Sequence, residues 1–112
     1  MNFYDRIDFL EFFDTERIID EEPGIIEYKI ASSEGVTLKI SMITCEGRVN
    51  FTLISKAGIE LIAFGFDDIA YITCDKNKPG LIRFLFYREG KEEEPVVTVL
   101  VKPTISLSLN TE

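Results

Sequence analysis

From Ile26 to Leu109 apolar and polar residues alternate with a period of two, broken at regular intervals by turn-forming clusters. Ile26, Tyr28 and Ile30 share one face, with Glu27 and Lys29 on the other. Val36, Leu38, Ile40 and Met42 alternate with Thr37, Lys39 and Ser41, and Val49, Phe51 and Leu53 alternate with Asn50 and Thr52. Successive side chains of an extended chain point to opposite sides, so each run reads as a strand with one dry face. The stretches "SSEG", "CEG" and "SKAG" separate these runs as turns, and Gly58 suits a positive φ in the last of them. Ile59 to Phe64, Ile69 to Cys74, Leu81 to Tyr87, Val96 to Val101 and Ile105 to Leu109 complete the set. "DKNKPG" and "REGKEEEP" are turns between them, and Pro103 demands a bulge, an edge or a corner.

The first part of the chain has a different rhythm. Residues 3–20 read as a helix that ends before "EEPG", where Pro23 and Gly24 disfavour continuation. Asp14-Thr15 offers a break, with Thr15 as the cap of a second piece. At 100° per residue Phe3, Ile7, Leu10, Phe13 and Ile18 fall on one face, the expected contact with a sheet. Asp5, Asp8 and Glu16 fall opposite, Phe12 lies between those acids, and Phe9 lies at their edge. Apolar anchors rimmed by charge have the composition of a protein-binding patch, so Asp5, Asp8, Phe9, Phe12 and Glu16 are the candidate partner-binding residues.

The predicted fold is therefore mainly β (α+β). It has an N-terminal helix on an antiparallel sheet or sandwich of seven to eight short strands. The absence of strand–helix alternation excludes a doubly wound parallel sheet. The 112 residues suit a single domain, 1–112, with an acidic helical segment over 1–22 and a β meander over 23–112. No apolar run approaches the ~20 residues of a membrane-spanning helix. The opening "MNFYDRIDF" mixes acids with apolar residues and lacks a basic lead, so a bacterial-type cytoplasmic protein is expected, without a membrane partner.

Charge sharpens this picture. The net charge is -8, and residues 1–22 hold eight acids against Arg6 and Arg17. Phosphate neutralisation needs clustered Lys and Arg, so nucleic acid is not an expected partner. A basic protein is, because opposite charge steers encounter. There is no histidine, which removes the commonest general base and metal ligand and every histidine-paired nucleophile. The seven glycines form no phosphate loop, and Cys45 and Cys74 lack zinc-site spacing. Both cysteines end apolar runs and are expected to be buried, reduced thiols. Asp67, Asp68 and Asp75 would have to converge to make a carboxylate site, and their positions before a strand and within a turn explain them without one. Arg83 alternates with Ile82 and Phe84 and is expected to cross an exposed sheet face. No catalytic residue, metal or cofactor is expected.

The helical start, the acidic segment, "GVTLKISM", "VNFTLISKAGIELIAFGFDDIAYI" and the closing "VTVLVKPTISLSL" together resemble the small immunity proteins of bacterial polymorphic-toxin systems. The resemblance is one of pattern over most of the chain, without a diagnostic motif. It implies a small acidic cytoplasmic protein, not an enzyme, that binds and neutralises a cognate toxin, and it assigns no binding residue. The alternative is a structural or self-associating subunit, phage-type or homo-oligomeric, pairing through an edge strand at "VVTVLV".

Overall fold

The computed structural model describes residues 6–20 and 24–110. One short helix, α1 (Arg6–Phe12), is followed by nine strands. β1 (Thr15–Asp20), β2 (Ile25–Ala31), β3 (Thr37–Ile43), β4 (Arg48–Ile54) and β5 (Glu60–Phe66) form one antiparallel sheet in that order. β6 (Ile69–Asp75), β7 (Ile82–Arg88), β8 (Val97–Lys102) and β9 (Ser106–Leu109) form the second. Every hydrogen-bonded neighbour is also a sequence neighbour, so each sheet is an antiparallel meander. Asp67 and Asp68 alone carry the chain from one sheet to the other, and Asp68 takes a φ of 60° there.

The period-two pattern becomes the burial pattern. On β3, Leu38, Ile40 and Met42 are buried; on β8, Val97, Val99 and Val101 are. The inward residues of both sheets form one core cluster. Phe51 of β4 meets Phe86 of β7 edge to face across the two sheets, with ring centroids 5.1 Å apart.

The N-terminal segment differs from the sequence expectation. The helix ends at Phe12 rather than near residue 20, and Thr15–Asp20 pairs with β2, with Glu16 opposite Tyr28 and Ile18 opposite Ile26. "TERIID" satisfies either period, and its three β-branched residues favour the strand once β2 offers an unpaired edge. Asp14 fixes the changeover: its N–H donates to the Lys29 carbonyl at 2.8 Å, and its Oδ2 accepts from the Ala31 N–H at 2.9 Å.

That shorter helix changes which residues are inside. Phe9 is 1% exposed, with its ring 4.7 Å from Tyr28 of the first sheet and 4.3 Å from Phe84 of the second. It is a core residue, not a surface anchor. Leu10, expected in the core, is 51% exposed. Phe13 is buried as the spacing predicts. Phe3 and Asp5 lie outside the described residues.

The alternative edge-pairing scheme also meets a correction. "VVTVLV" is not an edge: β8 is hydrogen-bonded to β7 on one side and β9 on the other. The edges of the first sheet are β1 and β5, and each carries a register shift, after Ile18 in β1 and beside Leu61 in β5. Such bulges twist an edge away from flat pairing.

Truncation separates the two assignments of the helix. Phe9→Ala should cost about 3–5 kcal/mol in denaturant unfolding, a large share of a small domain's stability. Leu10→Ala should cost under ~0.5 kcal/mol. The reverse order would restore the longer helix with Leu10 inside.

Candidate functional site

The residues expected to face a partner are held largely by this chain itself. Asp8 Oδ1 accepts from Lys76 Nζ at 2.8 Å, although the two are 68 positions apart. Asp8 is only 13% exposed at its side chain. Its carboxylate, by hydrogen bond and then by charge, holds the Lys76 ammonium above the ordinary lysine range. Glu11 lies 3.8 Å from the same ammonium. Glu16 accepts from the Tyr28 hydroxyl at 2.7 Å. Phe12 is half-buried, and its ring lies 5.8 Å from both Lys76 Nζ and Lys102 Nζ. Two cations from outside its helix, on β6–β7 and β8, thus lie over Phe12, and Lys76 is at the same time paired with Asp8 and Glu11 of the helix. Nothing local in "DKNKPG" or "VKPT" announces this, since a turn lysine looks the same wherever it reaches.

The other candidate carboxylates do not gather. Asp67 Oδ1 accepts from Arg48 Nη1 at 2.8 Å. Gly65 makes room for that bridge, because a Cβ there would run into the ends of the Asn50 and Arg48 side chains. Asp75 Oδ2 accepts from Arg83 Nε at 2.9 Å and Nη2 at 2.6 Å, and this pair holds the carboxyl below the ordinary aspartate range. Arg83 crosses the outer face of the second sheet as expected. Tyr71 and Tyr87 stack on that face with centroids 4.6 Å apart. Among the described residues no three Cys, Asp or Glu side chains are placed to hold a metal ion.

The cysteines divide. Cys45 is exposed, contrary to the expectation of two buried thiols, because it sits in the β3–β4 turn rather than on the preceding strand. Cys74 is half-buried, and that burial, with Asp8 close by, pushes its thiol up to about 11. Neither is in a disulfide.

Two surface features remain. At the free edge of the first sheet Ile59, Leu61 and Ile62 are 64%, 59% and 49% exposed. At one end of the sandwich, between the α1–β1 corner, the β2–β3 turn and the β8–β9 turn, lies a groove of about 540 Å³. Phe12, Ile30, Val36, Leu53 and Val101 line it, and Glu11, Asp14, Glu34 and Lys102 supply its charges. Its volume is in the range of binding clefts. No helix among the described residues is long and apolar enough to cross a membrane.

Thiol labelling at pH 8 reads this geometry. A thiol with a pKa of about 11 is ionised to roughly one part in a thousand there, and the thiolate is the reactive form. Cys45 should react at least tenfold faster than Cys74 in the folded protein, and the difference should vanish in denaturant. Equal rates in the folded state would contradict the placement of Cys74.

No protein-family model and no curated protein sequence matches this chain. Among solved structures the fold is similar to a chain of a contact-dependent growth inhibition toxin–immunity protein complex from Klebsiella pneumoniae 342. The TM-score is 0.64 at 15% identity, and the similarity covers 96% of this chain and 93% of that one. This is a likeness of the whole two-sheet architecture.

Proposed function

We propose that this chain is a non-enzymatic inhibitor of the immunity type, which binds a toxin and neutralises it. The observation that carries the reading is the end-to-end structural similarity to a chain of a toxin–immunity complex. The pattern-level resemblance in the sequence supports it independently. Two features favour the immunity side of such a pair over the toxin side. The chain has no histidine, and its candidate carboxylates are each tied to an arginine or set apart. It also carries a net charge of -8, which favours a basic toxin domain as partner.

A second reading, self-association, has one specific observation behind it. Leu61 and Ile62 are exposed on an edge strand and Ile59 just before it, where pairing with a second copy would cover them. Light scattering separates the two, since a monomer at high concentration excludes this reading.

A tagged pull-down from the cells that make this protein tests the main proposal. It should recover one stoichiometric partner of basic net charge, released progressively as salt rises from low to moderate, because opposite charges are screened. Recovery of the chain alone at every salt concentration would contradict it.

A further inference from the structure

We propose that the groove at the end of the sandwich receives an apolar side chain presented by a basic segment of the toxin partner. This deepens the inhibitor reading and rests on it. The groove lies where the end of the helix meets the β2–β3 and β8–β9 turns. Phe12 and Phe13 line it from the helix end, Ile30, Val36 and Leu53 from the first sheet and its β2–β3 turn, and Val101 and Ile105 from the second sheet and its β8–β9 turn. The lining mixes apolar side chains with polar ones, and its apolar part is not filled by this chain: Phe12, Leu53 and Ile105 remain partly exposed while packed against the core. A partner's Phe, Leu or Met side chain would remove these surfaces from water as it entered.

The rim specifies the sign of the entering segment. Glu11, Asp14 and Glu34 are exposed carboxylates around the opening, against the single ammonium of Lys102. With the nearby Asp8–Lys76 pair included, and Lys56, whose side chain lies against Gly35 beside Glu34, the carboxylates around the mouth still outnumber the ammonium groups by one. Asp14 is fixed by its bond from the Ala31 N–H, so its charge is held at the rim rather than swinging free. An acidic mouth over an apolar floor repels an acidic peptide and attracts a Lys- or Arg-flanked one. The exposed apolar edge at β5 has no such charge signature and nothing that identifies what would cover it.

The proposal also places Phe12. The ring forms part of the groove wall and is held by the two lysines, so an entering aromatic would meet a fixed surface rather than a mobile one.

Nuclear magnetic resonance titration of the full chain with short capped peptides tests this without the toxin. The probes are Lys-Arg-Phe-Arg-Lys, its glycine counterpart Lys-Arg-Gly-Arg-Lys, and the acidic Glu-Glu-Phe-Glu-Glu. The basic phenylalanine peptide should shift amides of residues 30–36, 53, 101, 102, 104 and 105. The acidic peptide should bind at least tenfold more weakly, and the glycine peptide at least threefold. The double variant Glu11→Lys with Glu34→Lys changes exposed residues only, so it should fold normally and bind the basic peptide at least tenfold more weakly. Shifts elsewhere, no binding at millimolar peptide, or indifference to charge would overturn the proposal. So would a concentration-dependent dimer that moves the same amides in the absence of peptide, which would make a second copy the occupant. If a recovered toxin bound the double variant undiminished, the groove would be the wrong surface while the inhibitor reading stood. If the peptides behaved as expected and no toxin were found, the inhibitor reading would fail and the groove would stand.

Discussion

The contact between the inner faces of the two sheets is what the rest of the molecule depends on. Phe51 and Phe86 meet across it, and Leu38, Ile40, Met42, Val49, Val97 and Val99 are buried around them. The central strands each have one dry face and one wet face, so neither sheet is stable in water without the other. Phe9 reinforces this arrangement from one end, since its ring touches Tyr28 of one sheet and Phe84 of the other. The topology is economical in consequence. Nine strands follow one another in order, and the chain changes sheets once, at the positive-φ Asp68.

A sandwich built this way covers its faces better than its ends. The outer faces are held by cross-strand pairs such as Arg83 with Asp75, stacked Tyr71 with Tyr87, and Lys39 with the buried Glu27, which Lys29 of its own strand also approaches. At the end beside α1 the apolar interior opens into the groove, and there the negative charge of the helix end and the β2–β3 turn meets it. Opposed charge and apolar surface thus converge through the fold rather than within any single element. A surface of that kind suits recognition of another protein, with steering by charge and anchoring by burial.

The strands were legible because period two and turn residues are local signals. Gly58 with its φ of 84°, the "CEG" turn and the alternation of β3 are all visible in the residues themselves. The N-terminal segment was not, because "TERIID" fits both periods and the decision came from β2, whose edge was free to pair. Once the helix shortened, Phe9 and Leu10 exchanged places. The acidic patch was misread for a related reason. A helical wheel shows which charges are near Phe12 on its own helix, but Lys76 arrives from the β6–β7 turn and Lys102 from the end of β8. Asp8 and Glu16 were identified as important acids, yet their partners within the chain, Lys76 and Tyr28, could be named only from the fold.

The central claim is neutralisation of a toxin by binding, and growth is its most direct readout. The partner recovered with this chain would be expressed alone and together with it in the same bacterial host. The account predicts that the partner alone arrests growth, and that co-expression of this chain restores it in step with formation of a one-to-one complex. A partner that is harmless alone, or a toxin whose effect persists although the complex forms, would contradict it.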